Sequence, residues 1–193
     1  MKNKEQQTER FWIDPKEAAL IVVDVQERLV PSMDQEVYRQ VRGNIDLLAK
    51  GCAELEVPVV ATEQYPRGLG HTVPELAAAC AESVIEKTSF GCCGESSFVE
   101  KLEEIGCRQV VVTGMEAHVC VYQTVLGLIG AGYRVHLVRD AICSRGRIDF
   151  ETAVENARAA GAVITTAETV LFQMVRDASS PAFKAISTLI KNK

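Results

Sequence analysis

The sequence lacks the features that mark membrane, secreted and nucleic-acid-binding proteins. Its start is polar, with no apolar signal core, and the apolar run at 18–23 is too short to cross a bilayer. Its 21 basic residues are outnumbered by 26 acidic ones, the net charge is −5, and no lysine or arginine cluster stands out. A nucleic-acid partner is therefore not expected. Seven cysteines without a secretory signal predict reduced thiols in a cytoplasmic protein.

Several cofactor and catalytic motifs are also absent. No G-x-G-x-x-G follows the first apolar run, and neither G-x-x-x-x-G-K-[ST] nor G-x-S-x-G occurs. Nucleotide binding through such loops and a serine nucleophile elbow are therefore not supported. The seven cysteines form no C-x-x-C pair, and no two of the three histidines are spaced as metal ligands. We expect neither a cofactor nor a bound metal.

Short apolar runs alternate with amphipathic stretches along the chain. The apolar runs predict strands at 18–25, 57–62, 83–89, 109–114, 133–140 and 162–166. The stretches between them have helical spacing, for example 35–55 and 96–106, the second closed by Gly106. This order predicts an α/β protein with a three-layer α/β/α, Rossmann-like open sheet of about six mainly parallel strands. The length of 193 residues predicts a single domain, 1–193, in which residues 1–13 are a polar N-terminal extension.

Polar residues follow most of the predicted strands, at the sheet edge where open α/β folds bind ligands. They are Asp24 and Gln26 after the first strand, Glu63, Gln64 and Tyr65 after the second, Lys87 after the third, 116–120 after the fourth and Asp140 after the fifth. Each alone is more simply a cap or a solvated loop residue. Together at one edge, Asp24 and Lys87 can satisfy each other beside the thiol of Cys120, which makes this edge a candidate reactive site.

Cys120 is the leading candidate nucleophile, in the segment TGMEAHVCVYQT. It lies in the first turn of a predicted helix at 117–129, where free N–H groups favour an anion, and a nearby lysine is expected to lower the thiol pKa. The same N–H groups could hold an oxyanion. On spacing alone, the opposite interpretation of a buried core cysteine is equally supported. Cys92 and Cys93 precede another predicted helix and are rival thiols, and His118 is a candidate general base.

Three motifs together resemble a known family. Asp24 in LIVVDVQERL, Lys87 in EKTSF and Cys120 in GMEAHVCVYQT look like the Asp-Lys-Cys triad of the isochorismatase-like cysteine hydrolases. TEQYPRGLG, GYRVHLVRDA and ETVLFQMVRD are most similar to the branch called isochorismatase-domain-containing proteins. The resemblance implies a six-stranded Rossmann-like fold, a cis peptide at Met115–Glu116, an oxyanion hole built from the backbone amides of Glu116 and Cys120, and a homo-oligomer, a dimer or higher.

The resemblance further implies a hydrolase that cleaves a C–N bond of a small amide or carbamoyl substrate through a thioester. The metal ligands that nicotinamidases place after the second strand are absent, and the nucleophilic cysteine that true isochorismatases lack is present. Six residues are expected to line the substrate pocket: Gln26, Glu63, Gln64, Tyr65, Cys92 and His118. The alternative is a non-catalytic relative that binds a small ligand or senses oxidants through Cys120. A phosphoacceptor domain is disfavoured because the first strand offers a single aspartate.

Overall fold

The computed structural model describes residues 8–192, which form a sheet of six parallel strands with helices on both faces. The strands are β1 (Ala18–Val23), β2 (Val59–Gln64), β3 (Val84–Lys87), β4 (Gln109–Met115), β5 (Arg134–Cys143) and β6 (Val163–Thr165). The helices are α1 (Gln35–Glu54), α2 (Pro66–Leu69), α3 (Pro74–Cys80), α4 (Ser96–Ile105), α5 (Tyr122–Gly130), α6 (Arg147–Ala160), α7 (Ala167–Val175) and α8 (Phe183–Lys191). The strand order is β3-β2-β1-β4-β5-β6 and each adjacent pair is parallel, which confirms the expected Rossmann-like sheet.

The sheet separates two apolar cores because side chains alternate between its faces. In β1, Leu20 and Val22 pack in the core formed with α1, α7 and α8, whereas Ile21 and Val23 pack in the core formed with α4, α5 and α6. All six residues of β1 are buried, which explains why its sequence is an uninterrupted apolar run.

Local sequence signals set the ends of several helices. Asp34 caps α1, because its Oδ1 accepts hydrogen bonds from the backbone N–H of Glu36 at 2.9 Å and of Val37 at 3.0 Å. Gly106 ends α4 with a φ of 71°, as the sequence predicts, since glycine adopts this left-handed conformation without steric cost.

The strand β5 extends further than predicted, so that Asp140 lies within the strand rather than at its end. The strand runs to Cys143 rather than residue 140, and its register against β4 shifts between Val112 and Gly114. Asp140 lies within this irregular part of β5, where its Oδ1 accepts a hydrogen bond from the backbone N–H of Ala167 at 2.9 Å. Asp140 therefore binds the start of α7, which follows the carboxyl end of the neighbouring parallel strand β6, and within the described residues its carboxylate is not among the partners of Asp24 or Lys87.

The carboxyl ends of β1 and β4 meet at the point where the chain reverses its direction across the sheet. From β1 the chain proceeds to β2 and β3 on one side, and from β4 it proceeds to β5 and β6 on the other. Doubly wound sheets bind ligands in the crevice at this point. Val23 and Gly114 are paired across it, and Gly114, with a φ of 116°, approaches so closely that a Cβ would overlap the backbone of Val23. This contact holds the end of β4 beside Asp24.

The expected N-terminal extension, 1–13, lies partly outside the described residues. Within its described part, Ile13 is fully buried and Trp12 lies under the guanidinium of Arg176, 4.5 Å from the ring centroid. The end of the extension therefore packs against the fold. Over residues 8–192, no helix combines the length and the apolar character needed to cross a membrane.

Candidate active site

Asp24 is a buried carboxylate at the end of β1. Its φ of 50° is unusual for a residue with a Cβ, although aspartate is among the residues that tolerate it best, and the side chain has no exposed surface. Oδ1 accepts a hydrogen bond from Oγ1 of Thr62 at 2.7 Å, and Oδ2 accepts one from Nζ of Lys87 at 2.7 Å. The structure thus gives both oxygens of the carboxylate a donor, as a buried charge requires.

Lys87 reaches Asp24 across β2 from the end of β3. Its side chain is fully buried, and Nζ donates to Oδ2 of Asp24, to the carbonyl of Ser89 at 3.0 Å and to the carbonyl of Phe90 at 2.8 Å. These acceptors match the three protons of an ammonium group. The ion pair is therefore fully satisfied without water, which is the condition under which a buried pair is tolerated.

Cys120 follows β4 in a π-helical turn, Ala117–Val121, that leads into α5. The peptide bond Met115–Glu116 is cis, as the family resemblance implies. The carbonyl of Glu116 accepts hydrogen bonds from the N–H groups of Val119 at 3.1 Å and Val121 at 3.2 Å. Among the described residues, the N–H of Cys120 between them does not bond to that carbonyl.

Cys120 is only 7% exposed, and its thiol interacts with the charges of both Asp24 and Lys87. Burial and the negative charge of Asp24 raise its pKa above the ordinary cysteine value, and the opposing charge of Lys87 does not cancel them. The expectation that the lysine and the helix start lower this pKa was wrong, because burial, the largest effect, and the charge of Asp24 together outweigh the charge of Lys87. The thiol is accordingly protonated in the free protein, and a nucleophilic thiolate requires a base.

Known proteins resemble this chain in sequence as well as in geometry. A family model for the isochorismatase domain matches residues 18–169. The chain belongs to the isochorismatase family. Over 179 residues it is 39% identical to isochorismatase domain-containing protein 1 of Danio rerio, covering 93% of this chain and 62% of that protein. This chain therefore spans less than two thirds of that relative's length.

Two solved structures share the fold of this isochorismatase-family chain. The structure of MAR1 ribonuclease from Caenorhabditis elegans matches with a TM-score of 0.88 at 35% identity, covering 93% of this chain and 92% of that chain. The YCAC gene product of Escherichia coli, described as an octameric hydrolase of unknown specificity, matches with a TM-score of 0.86 at 25% identity, covering 94% and 90%. Membership of the isochorismatase family supports a hydrolase-type function.

Two of the six residues expected in the substrate pocket bind the protein itself. Gln26 is fully buried, its Nε2 donates to the carbonyls of Gln64 at 3.1 Å and Gly70 at 2.6 Å, and its Oε1 accepts from the N–H of Gln64 at 2.8 Å. Glu63 accepts from the N–H and Oγ1 of Thr72 at 2.6 and 2.8 Å and contacts Nδ1 of His71 at 2.9 Å. Both side chains thus hold the loop that follows β2.

Hydrogen bonding keeps Glu63 in its charged form. Burial raises the pKa of Glu63, but the hydrogen bonds from Thr72 and His71 outweigh it and hold the pKa below the ordinary value. In the described part of the chain, no three His, Cys, Asp or Glu side chains converge to hold a metal ion. The donor set around Glu63 therefore does not fit a metal centre like those of nicotinamidases.

The other residues expected in the pocket lie at different depths. Gln64 is half-buried and its Nε2 donates to the carbonyl of Thr88 at 3.2 Å. Tyr65 is 54% exposed and has a φ of 40°. His118 is half-buried in the π-helical turn, with Nδ1 2.9 Å from Oγ of Ser144. These residues surround the edge of the sheet, and the hydrogen bonds to Thr88 and Ser144 join two of them to neighbouring loops rather than to the triad.

Cys92 lies beneath the triad with no exposed surface, whereas Cys93 is half-buried at the surface of the same turn. The backbone N–H of Cys92 donates to Oγ1 of Thr124 at 3.0 Å. Burial, reinforced by the charge of Asp24, raises the pKa of the Cys92 thiol to about 11. Cys92 is therefore a protonated thiol in the wall below the site.

Three residues that form hydrogen bonds or an ion pair with groups of the site were not identified from the sequence. Thr62 binds Asp24, Thr124 donates to the carbonyl of Cys120 at 2.7 Å, and Nε of Arg145 pairs with Oε1 of Glu116 at 2.8 Å. Threonine is common in strands and helices, so neither threonine had a distinguishing signal in the sequence. Arg145 follows the irregular β5, whose extent the sequence did not predict.

Proposed function

We propose that this protein is a cysteine-dependent hydrolase that cleaves a C–N bond of a small amide or carbamoyl compound. The observation that supports it most is the fully buried Asp24–Lys87 pair, at 2.7 Å, with the protonated thiol of Cys120 in its field. A buried ion pair contributes little net stability compared with an apolar pair. Its position beside a thiol at the switch point of the sheet favours a catalytic role over a structural one.

Each group has a defined role in the proposed reaction. Asp24 takes the proton of Cys120, and Lys87 balances the negative charge that the two share. The sulfur then bonds to the carbonyl carbon, and the backbone amides of Glu116 and Cys120 stabilise the oxyanion. Asp24 gives its proton to the nitrogen as the C–N bond breaks, which releases the amine and leaves a thioester.

Water completes the cycle. Asp24, again a carboxylate, accepts a proton from the water molecule that attacks the thioester, and the C–S bond breaks. The acid product leaves, and Asp24 returns the proton to Cys120. The thiol of Cys120 interacts with the Asp24 carboxylate through its charge and through a side-chain hydrogen bond, and both raise the thiol pKa. We expect this contact to tighten when substrate binds, as catalytic hydrogen bonds often do.

A substrate panel tests the proposal. Amides, N-carbamoyl compounds and isochorismate are incubated with the protein, and product release is measured together with the intact mass. We expect turnover of an amide or carbamoyl compound, and an acyl adduct on Cys120 with slowly hydrolysed substrates. Cys120→Ala should abolish both, whereas Cys93→Ala, which removes a half-buried thiol of a neighbouring turn, should retain them. Full turnover by Cys120→Ala would refute the proposed nucleophile.

The same experiment separates the alternatives. Stoichiometric oxidation of Cys120 without turnover of any compound would favour a thiol sensor. An RNA substrate is included because the Caenorhabditis elegans neighbour is described as a ribonuclease. We expect no cleavage of RNA by this chain, whose net charge of −5 disfavours binding to a polyanion.

We also propose that the protein is a single-domain, cytoplasmic homo-oligomer. All seven cysteines are free, which suits a reducing compartment. The Escherichia coli neighbour is described as octameric, and in this chain Tyr65 and Phe90, which follow β2 and β3, are 54% and 52% exposed. Light scattering on the purified protein tests this, and a monomer at micromolar concentration would contradict it.

A further inference from the structure

Three buried polar side chains below the triad have no role in the proposed reaction. Thr62 and Thr124 have no exposed surface, and Cys92 lies between them with none either. Polar groups at such depth cost free energy unless they are hydrogen-bonded, so their bonding pattern indicates what they do.

Thr62 fixes one side of the Asp24 carboxylate. A hydroxyl has a single proton, and the 2.7 Å distance to Oδ1 of Asp24 shows where that proton goes, since a charged acceptor forms the stronger bond. Lys87 occupies the other oxygen at 2.7 Å. The lone pairs of Thr62 Oγ1 face Sγ of Cys92, at 3.7 Å. Asp24 is thus oriented from two sides, and one of its two donors is itself in contact with Cys92.

Cys92 also contacts the residue that supports Cys120. Its N–H donates to Oγ1 of Thr124 at 3.0 Å, and its Sγ lies 3.1 Å from the same oxygen. Thr124 in turn donates its one proton to the carbonyl of Cys120 at 2.7 Å. Cys92 therefore contacts two hydroxyl groups: that of Thr62, which binds Asp24, and that of Thr124, which binds the backbone of Cys120.

We propose that Thr62 is a positioning residue of the triad and that Cys92 orients its hydroxyl. This rests on the proposed function, because it concerns the proton that Asp24 and Cys120 share. The hydroxyl stabilises the carboxylate form of Asp24 and so keeps the shared proton on the sulfur of Cys120. Without it, the carboxylate is a stronger base and the proton moves toward Asp24. Thr62 thereby sets the pH range in which Cys120 becomes a thiolate.

The experiment measures the pH dependence of Cys120 alkylation by iodoacetamide, with each cysteine resolved by mass spectrometry. No substrate is needed, so the result is independent of the hydrolase assay. Because the shared proton then shifts from the sulfur to Asp24, Thr62→Val should raise the plateau rate of Cys120 alkylation. The decline of that rate toward low pH, the acid limb of the profile, should begin about one pH unit higher, the scale of one hydrogen bond to a charged group. Thr62→Ser keeps the hydroxyl and should retain the wild-type pH profile of Cys120 alkylation. Cys93, half-buried in the same molecule, is the internal control.

A purely structural role for Thr62 predicts another outcome. Looser packing would change the alkylation rate by a similar factor at every pH, and the acid limb would stay in place in Thr62→Val. That result would overturn the proposal. If Thr62→Val does not fold, Cys92→Ala provides the test: we expect a smaller shift of the same sign, and an unchanged profile would refute the proposal.

The double variant tests whether Cys92 acts through Thr62. If it does, Cys92→Ala should cause no further shift in a Thr62→Val background, because the hydroxyl that it orients is gone. Additive shifts would contradict the proposed link. The hydrolase proposal fails separately, through full turnover by Cys120→Ala, and that failure would leave the alkylation profiles unaffected.

Discussion

Removing either member of the Asp24–Lys87 pair should destabilise the protein strongly, and removing both should cost much less than the sum of the two single effects. Lys87→Met keeps the aliphatic stem but removes an ammonium with three hydrogen bonds and no exposed surface. Asp24 would then be a buried charge that keeps the hydroxyl of Thr62 as a donor but has lost its positive partner. Breaking a buried ion pair in this way costs about 3–5 kcal/mol, a large part of a typical unfolding free energy of about 5–15 kcal/mol.

Asp24→Asn is the complementary variant. Asparagine is nearly isosteric and also tolerates the positive φ of 50° at this position, so the backbone should be retained while the charge is lost. It leaves the Lys87 ammonium unpaired, again at a cost of about 3–5 kcal/mol. The double variant buries no charge. Its cost should therefore be well below the sum of the two single costs, by about 2–3 kcal/mol or more.

Urea denaturation of the four proteins measures these unfolding free energies, with Lys50→Met as the control. Lys50 pairs with Asp46 at 2.7 Å on the surface of α1, with 56% of its side chain exposed. Exposed pairs of this kind contribute about 0.3–0.5 kcal/mol. If Lys87→Met costs no more than Lys50→Met, or if the double variant costs the full sum, then the pair is not the desolvated unit that the structure indicates.

Two further predictions concern stability. Burial, with a smaller contribution from Arg134, lowers the pKa of His136 to about 4. In the unfolded chain its pKa is about 6.5, so this histidine contributes up to about 3 kcal/mol to the free energy of unfolding above that pH, and the contribution is lost as the pH falls toward 4. His136→Leu should therefore weaken the decrease of the unfolding free energy with acid, as measured by urea denaturation at several pH values. An unchanged slope would contradict the assignment. Gly114→Ala should destabilise by about 3 kcal/mol and abolish alkylation of Cys120, since it combines a φ of 116° with overlap on Val23. The control Gly43→Ala, in α1 with open space around its Cα, should be neutral or stabilising by about 0.5–1 kcal/mol, and equal effects of the two would refute the close-contact argument.

The periodicity of the sequence was sufficient to predict the layers of the fold. β1 is buried on both faces and therefore consists only of apolar residues, while α4 shows helical spacing and ends at Gly106. These are local consequences of burial and backbone geometry. β5 was predicted too short because a bulge depends on pairing with β4, and the sequence of β5 alone contains no information about its partner.

The roles of polar residues at the sheet edge were harder to predict. Gln26 and Glu63 were expected to face substrate, yet each forms hydrogen bonds to the loop after β2. The pKa of Cys120 was expected to fall and is instead raised. In each case the outcome depends on distances between segments that are remote in the sequence, and hydrogen bonding and Coulomb interactions change steeply with distance.

The sequence by itself determined that Asp24, Lys87 and Cys120 share one edge of a parallel sheet, because parallel strands present their carboxyl ends together. Only the tertiary structure decided how these groups interact. It placed Thr62 and Lys87 on the two oxygens of Asp24, and it brought Cys92 between Thr62 and Thr124. The physical reason is that topology orders the strands, whereas the proton on Cys120 depends on contacts of a few ångströms that only packing sets.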